Sequence, residues 1–266
     1  LSYLEHVNEV RVYDVIKEKA THSLPQVLHC DIIFVCLPTP QKEESLECDT
    51  SSIDNFFTQA IDIGNNNQQR IIDCNFVLRS TVPIGTTLML REKYGLTNLV
   101  HSPEFLTARC AVVHAQMPSR NIIGDPRDSD QWSDCMWILR KLYETRFPHV
   151  NIHYMSSDES EAVKLFQNSF FAVKIAFWNE CNMLATKLGL DCDKVMEGIL
   201  SDGRISPSHT KVPGPDGLYG FGPDTKSACL PKDIANLVTT LLSSGCSADV
   251  CKGAIARNLS DRRRSV

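Results

Sequence analysis

The strongest constraint on the fold is an alternation of short, apolar, β-branched segments with stretches of helical periodicity in the first half of the chain. The segment 31–37 is apolar almost throughout, which is typical of a parallel strand covered on both faces. The pattern predicts strands at 10–14, 31–37, 75–78, 98–101, 121–124 and 151–155. It also predicts helices near 53–63 and 129–145. Strand–helix alternation of this kind favours a doubly wound α/β sheet.

The second half of the chain has only helical periodicity. Ser157 or Asp158 is positioned to cap a long helix that runs to about Leu188 and ends before Gly189. Further helices are predicted at 191–200, 232–243 and 247–264, with an irregular loop over 202–228. We therefore expect two domains, an α/β domain over 1–155 and an all-helical domain over 156–266.

Composition excludes several classes of protein. The chain has 266 residues, a net charge of −5, and hydrophobic and charged contents of 42% and 22%, as in a globular protein. Nucleic-acid binders carry a clustered positive face, whereas the only basic run here is 262–264, so we expect no nucleic-acid partner. No apolar run approaches the roughly 18 residues of a membrane span, and no signal peptide is visible. We expect no membrane association.

The eleven cysteines are scattered along the chain. They form no Cys-x-x-Cys pair and no Cys/His cluster at zinc spacing, so neither a disulfide framework nor a metal site is predicted. Reduced thiols in a cytoplasmic enzyme are the simplest interpretation.

One cysteine stands out by its position. Cys229 lies after a loop rich in glycine and proline over 213–222, and Pro231 suits the first turn of a helix. A thiol just before a helix N-terminus and close to Lys232 is favoured as the thiolate, the state that a nucleophile needs. The alternative is a small buried hydrophobic residue.

Ligands of an open parallel sheet bind beyond the carboxyl ends of the strands. Asp14 ends a predicted strand, and Thr39 and Thr81 each follow one. Asp14 either accepts hydrogen bonds from the ribose hydroxyls of NAD or belongs to an ordinary turn at the end of a strand. The two threonines lie in proline-containing loops that either contact a flat cofactor or are purely structural. The glycine fingerprint Gly-x-Gly-x-x-Gly expected about 20 residues before the acid is not in this chain, so a Rossmann-like domain here would lack its first strand and phosphate loop.

Other side chains suit acid–base or charge-stabilising chemistry. Lys164 and Asn168 are four residues apart, hence on one helix face, where an ammonium and a carboxamide can stabilise an oxyanion; a surface lysine is the alternative. Glu104 lies beside large apolar residues and suits a general base. Arg204 and Lys211 flank the irregular loop and either bind phosphate or are solvated.

Eight segments together resemble the UDP-glucose/GDP-mannose dehydrogenase family, in the family's order and across nearly the whole chain. They are VCLPTP (35–40), RSTVPIGTT (79–87), SPEFL (102–106), EAVKLFQN (161–168), NE (179–180), DGRI (202–205), GFG (220–222) and CLPKD (229–233).

The resemblance implies a four-electron oxidation of a nucleotide sugar, most simply UDP-glucose, to the uronic acid with two NAD+. In that scheme Cys229 captures the aldehyde as a thiohemiacetal, a second hydride leaves to give a thioester, and water releases the acid. Lys164 and Asn168 would stabilise charge on the reacting oxygen. The residues that would position or deprotonate water are Thr81, Glu104 and Asp233.

The resemblance also implies two sets of binding residues. The nucleotide sugar would be held by Glu104, Phe105, Leu106, Lys164, Asn168, Arg204, Lys211, Phe221 and Gly222. The cofactor would be held by Asp14, Pro38, Thr39, Thr81 and Lys232. A homodimer through the central helices is implied as well, with Arg204 reaching across the interface.

The loop before Cys229 departs from the family pattern. The family usually has Gly-Phe-Gly-Gly-x-Cys, whereas residues 223–228 here separate Gly222 from the cysteine. The longer loop either bulges outward and leaves Cys229 in register with Asp233, or blocks the sugar pocket. The family's second nucleotide-binding domain is expected after the central helix, but this chain stops at Val266. Three interpretations stay open: UDP-glucose oxidation, a sister specificity (GDP-mannose or a UDP-N-acetylhexosamine), or a non-catalytic oligomerisation module.

Overall fold

The structure is a computed structural model that describes residues 8–67, 70–107, 110–126, 132–222 and 229–264. The chain divides into two compact units. The first comprises Leu1–Thr39 and Thr50–Lys164, and the second comprises Pro40–Asp49 and Leu165–Val266. The predicted boundary between residues 155 and 156 stays a prediction.

The first unit is built on a five-stranded sheet in the order β1-β2-β3-β4-β5. The strands are β1 (Ile33–Val35), β2 (Phe76–Leu78), β3 (Leu99–His101), β4 (Asn121–Asp125) and β5 (Ile152–Ser156). The β1–β2, β2–β3 and β4–β5 pairs are parallel, whereas β3 and β4 pair antiparallel. The predicted Rossmann-like α/β fold is confirmed.

Helices cover both faces of this sheet. They are α1 (Leu24–Val27), α2 (Ser51–Asn67), α3 (Thr86–Tyr94), α4 (Ala111–Gln116) and α5 (Asp134–Arg146), with single 3₁₀ turns at Lys17–Lys19 and Ile71–Asp73. Phe76 and Leu78 pack in one core with residues of α2 and α3. Val77, between them, packs in a second core with residues of α5. Because alternate residues of a strand face opposite sides, both faces of β2 are covered, and its three residues are apolar.

The predicted strand at 10–14 is wrong. Val12 donates its backbone N–H to Thr21 Oγ1 at 3.1 Å, and its carbonyl accepts from the backbone N–H groups of Thr21 and His22 at 2.9 Å. The backbone groups of Val12 therefore bond to a following turn and not to a neighbouring strand. The β-branched residues of the segment 10–14 favour an extended backbone, but an extended segment becomes a strand only where a neighbouring strand pairs with it.

The long helix α6 covers Ser157–Lys187. Ser156, not Ser157 or Asp158, caps it: its hydroxyl accepts from Glu159 N at 3.3 Å while the Glu159 carboxylate accepts from Ser156 N at 2.7 Å. The helix ends as predicted at Gly189, whose φ of +68° suits a left-handed C-terminal residue.

Three further helices lie in the second unit, as predicted. The helices α7 (Cys192–Leu200), α8 (Cys229–Ser243) and α9 (Asp249–Arg263) follow α6. Asp191 caps α7 by accepting from the backbone N–H groups of Asp193 and Lys194, both at 3.1 Å. Between α7 and α8, residues 201–222 form an irregular loop, and 223–228 lie outside the described residues.

Candidate active site

In the first unit, Lys164 is buried and paired. Its side chain is 7% exposed, and its ammonium group donates to the backbone carbonyl of Glu104 and, at 3.1 Å, to the Glu104 carboxylate. The alternative of a surface lysine is therefore wrong. An ammonium group held in this environment is available for electrostatic stabilisation of a nearby negative charge.

The segment 104–106 wraps around this lysine. The second carboxylate oxygen of Glu104 accepts from Leu106 N at 2.6 Å. The ring of Phe105 lies close to two cations, with Lys164 Nζ at 5.4 Å and Arg120 Cζ at 4.2 Å from its centroid. Sequence reasoning did not identify Arg120, because a cation–π partner 15 positions away carries no sequence signature. Glu104 engages both of its oxygens within the protein, so this geometry favours a positioning role for it.

The two predicted threonine loops meet at one edge of the sheet. β1 and β2 are parallel neighbours, so their carboxyl ends lie side by side. Thr39 is buried and donates its hydroxyl to the Thr81 carbonyl at 2.7 Å. Ser80 Oγ donates to the Leu37 carbonyl at 2.7 Å and accepts from Leu37 N at 2.9 Å. The loop that contains Pro38 is thereby fixed against the loop that contains Thr81.

This edge of the sheet fits a nicotinamide cofactor. Rigid loops with hydroxyl groups follow two adjacent parallel strands there, which is where doubly wound sheets bind dinucleotides. Thr39, Thr81 and Pro38 are the residues that would hold it. Asp14 does not follow a strand. Its carboxylate accepts from Ile16 N at 2.8 Å, which is a local turn, so the proposed ribose contact remains a prediction.

The second turn of α6 is hydrogen-bonded to the start of α3, which sequence reasoning did not identify. Glu161 is buried and its carboxylate accepts from Gly85 N at 2.6 Å and from Thr87 N at 2.8 Å. Burial raises the pKa of Glu161 to about 7, against the opposing effect of these hydrogen bonds. Glu161 lies within the motif EAVKLFQN, so the motif marked the position without indicating what the carboxylate binds.

A buried histidine provides a second connection. His101 Nδ1 is 2.7 Å from Ser160 Oγ, and Nε2 is 3.3 Å from the Ser80 carbonyl. Complete burial lowers the pKa of His101 to about 3, so the ring is neutral at physiological pH. The ends of β2 and β3 are thus joined to the start of α6.

In the second unit, Asn168 and Asp233 are bonded to each other. Asn168 Nδ2 donates to Asp233 Oδ2 at 2.6 Å, and Lys232 Nζ donates to Oδ1 at 2.6 Å. Asp233 is 1% exposed, so a buried carboxylate is satisfied by an amide and a cation.

Cys229 lies one turn before this pair. It is the first residue of α8 and its side chain is exposed, so the alternative of a buried structural thiol is wrong. Four residues of helix place Cys229 and Asp233 about 6 Å apart along the axis. An accessible thiol at a helix start is compatible with a nucleophile.

The loop residues predicted to bind substrate differ in burial. Arg204 is exposed and pairs with the Asp202 carboxylate at 2.5 Å, and Lys211 is exposed. Phe221 is buried, with its backbone N–H bonded to Asn258 Oδ1 at 2.7 Å, and Gly222 follows with a φ of +128°. The roles of these residues stay predictions. The predicted bulge at 223–228 lies outside the described residues.

Two general features of the described ranges bear on function. No group of three or more His, Cys, Asp or Glu side chains there is arranged to hold a metal ion. Among the described helices, none combines the length and apolar character needed to span a bilayer.

Known proteins resemble this chain over most of its length. Residues 5–146 match the NAD binding domain of the UDP-glucose/GDP-mannose dehydrogenase family, and residues 158–260 match its central domain. UDP-glucose 6-dehydrogenase of Campylobacter jejuni is 33% identical over 228 residues, covering 85% of this chain and 53% of that protein. The Rhizobium meliloti enzyme of the same name is 30% identical over 243 residues, covering 89% and 51%.

Solved structures agree with the sequence matches. The UDP-glucose dehydrogenase of Pyrobaculum islandicum has a TM-score of 0.73 at 26% identity, covering 90% of this chain and 53% of that one. The chain thus spans about half the length of the relatives that it matches. It belongs to the UDP-glucose/GDP-mannose dehydrogenase family and carries that family's NAD-binding and central domains.

Proposed function

We propose that the protein oxidises UDP-glucose to UDP-glucuronate with NAD+, through a covalent intermediate on Cys229. The observation that carries the proposal is the bond between Asn168 and Asp233, which belong to two separate motifs and meet one helical turn from an exposed cysteine. Relatives named UDP-glucose 6-dehydrogenase support the choice of substrate.

The chemistry assigned to Cys229 follows from the need to retain an aldehyde. When bound, NAD+ accepts one hydride at each of the two oxidations. The Cys229 thiolate adds to the aldehyde carbon and forms a C–S bond, and the oxygen takes up a proton to give a thiohemiacetal. The second oxidation converts this adduct to a thioester. Water then breaks the C–S bond, which releases the carboxylic acid and returns the thiol.

Residues of α6 and α8 stabilise the charged states in this proposal. Lys164 supplies an ammonium group and Asn168 a carboxamide donor to the oxygen that becomes negative when sulfur or water adds. Asp233, held by Asn168 and Lys232, orients the attacking water. Thr81 is assigned to the positioning of water, and Glu104 to the positioning of Lys164.

The nucleotide part of the substrate is assigned to positive and aromatic groups. Arg204 and Lys211 are exposed cations that suit a diphosphate, and Phe105 and Leu106 provide an apolar contact. GDP-mannose and UDP-N-acetylhexosamines share the diphosphate and differ at the base or at the sugar's C2 substituent. They are therefore the competing substrates to test.

We also propose a homodimer through the central helices. Phe166, Phe170, Phe177 and Leu184 of α6, and Leu188 directly after it, are each more than half exposed. Their spacings of four and seven residues place them along one side of the helix, which is typical of a helix that pairs with another. Arg204 is assigned to the partner's substrate in such a dimer.

Location in the cytoplasm is a prediction from the reduced cysteines.

The test is a panel of nucleotide sugars, assayed for NADH formation with the chain extended to the full length of its relatives. We expect turnover with UDP-glucose, and loss of turnover in Cys229→Ser. Cys246→Ser is the matched control, because Cys246 is also an exposed free thiol. Turnover with a different sugar would establish a sister specificity. A lack of turnover with every sugar would favour the non-catalytic interpretation.

A further inference from the structure

The loop 201–222 carries two of the cations assigned to the substrate, yet it contains no helix or strand. Ordering an irregular loop costs conformational entropy that regular hydrogen bonding does not offset. Side chains outside the loop that bond to it therefore help to fix its position.

Lys174 of α6 provides the first anchor. Its ammonium group donates to the backbone carbonyls of Ser206 and Ser208, each at 2.7 Å. One cation thus joins two carbonyls two residues apart in the loop. The pKa of Lys174 is lowered, because partial burial of its ammonium group disfavours the charged form.

An aromatic stack lies beside that cation. Phe171, one turn earlier on α6, stacks on His209 with ring centroids 4.0 Å apart and an interplanar angle of 11°. His209 has a φ of +61°, a left-handed conformation that costs a non-glycine residue free energy and persists where surrounding contacts hold it. Burial, and then the charge of Lys174, lower the pKa of His209, which favours the neutral ring in the stack.

Two asparagines hold the other end of the loop. Asn179 Oδ1 accepts from Gly220 N at 3.2 Å, and Asn258 Oδ1 accepts from Phe221 N at 2.7 Å. A Cβ at Gly220 would lie 2.4 Å from Asn258 Oδ1, so only glycine allows this approach. These contacts fix 220–221, whereas 204–211 depends on Lys174 and the stack.

We infer that Lys174 is a positioning residue, which fixes the 204–211 part of the loop and so presents Arg204 and Lys211 to the diphosphate of the nucleotide sugar. Arg204 lies two residues before Ser206, and Lys211 lies two residues after His209. The inference rests on the proposed function for the identity of the ligand. The anchoring itself is independent of any ligand.

The experiment compares Lys174→Met with Lys174→Arg in the 266-residue chain. Lys187→Met is the control, because Lys187 is an exposed lysine at the end of the same helix. The first readout is the rate of tryptic cleavage after Arg204 and Lys211, measured by mass spectrometry without ligand. We expect Lys174→Met to raise it by about tenfold, because cleavage requires the loop to leave its anchored position.

The second readout is the affinity for UDP-glucose by calorimetry, together with steady-state kinetics of the protein extended to the relatives' length. We expect Lys174→Met to weaken binding and raise KM for the sugar about tenfold, while kcat and KM for NAD+ change less than about twofold. Lys174→Arg should restore both readouts, because a guanidinium can donate to the same two carbonyls.

The outcomes separate the two claims. Cleavage at the wild-type rate in Lys174→Met overturns the anchoring. Faster cleavage with unchanged affinity and KM for UDP-glucose overturns the link to substrate. If the wild-type protein neither binds nor oxidises UDP-glucose, the proposed function and this link both fail, while the cleavage rates still decide the anchoring.

Discussion

The carboxamide of Asn168 and the carboxylate of Asp233 form a 2.6 Å hydrogen bond, although the two residues lie 65 positions apart in the chain. Lys232 binds the other oxygen of the carboxylate, so removal of Asp233 leaves a buried amide donor and a partly buried cation without their partner. The proposed placement of Cys229 near the Asn168 carboxamide depends on this bond.

Asp233→Ala should therefore destabilise the fold. We expect a loss of about 1–3 kcal/mol in the free energy of unfolding, because the Asn168 amide and the Lys232 ammonium lose their acceptor in a buried place. Urea denaturation measures it. The control is Asp62→Ala, at an exposed position in α2, which should change stability by less than about 0.5 kcal/mol. Equal effects of the two substitutions would mean that the Asp233 contacts contribute no more than an exposed side chain.

Cys229 should be the more reactive of two exposed thiols. We expect iodoacetamide at neutral pH to alkylate Cys229 faster than Cys246, because Cys229 is exposed at the start of a helix, where backbone N–H groups stabilise negative charge on an attacking sulfur. Peptide mass spectrometry at short times gives both rates in one sample. A faster Cys246 would count against the assignment of Cys229 as the nucleophile.

Stability should depend on pH through Glu161. Burial raises its pKa from 4.5 to about 7, so the native state holds this proton more tightly than the unfolded chain does. The resulting contribution is present in full below pH 4.5 and is lost as the pH rises through 7. The loss amounts to roughly 3 kcal/mol over that window, from the size of the shift.

The measurement is urea denaturation of wild type and Glu161→Gln between pH 4.5 and 8. Relative to the variant, the wild type should lose stability as the pH rises. His101 acts in the opposite sense, because its lowered pKa costs stability as the pH falls below 6.5, but it is present in both proteins and cancels in the difference. A pH-independent difference would show that Glu161 titrates as an ordinary glutamate.

Gly124 allows β4 to approach α6 closely. A Cβ there would lie 2.3 Å from the Ser160 Cβ. We expect Gly124→Ala to cost about 1–3 kcal/mol in the free energy of unfolding, because the strand or the helix must shift. Gly198→Ala is the matched control in α7, where a Cβ meets nothing within 4 Å. It should stabilise by roughly 0.5–1 kcal/mol, since alanine is the better helix former. Thermal melts of both proteins test the opposite signs.

Much of the fold could be predicted because its signals are local. The strands β1 and β2 are short apolar runs that need cover on both faces, and Gly189 ends α6 through its own backbone conformation. The strand predicted at 10–14 failed because pairing depends on a neighbour, and here the bonds of Val12 go to Thr21 and His22.

For the candidate site, the sequence predicted which residues matter better than it predicted which residues they contact. The burial of Lys164 depends on Glu104, which is 60 positions away, and periodicity does not reveal such a partner. Arg120, His101 and Glu161 were not identified for the same reason. The spacing of Lys164 and Asn168 did predict a shared helix, because that relation is local.

The most direct test of the account is the amount of NADH formed for each UDP-glucose consumed, measured to completion with the protein extended to the length of its relatives. The account predicts two NADH per sugar in the wild type and in Cys246→Ser, and none in Cys229→Ser. One NADH per sugar with release of the aldehyde, or two per sugar without the thiol at residue 229, would contradict it.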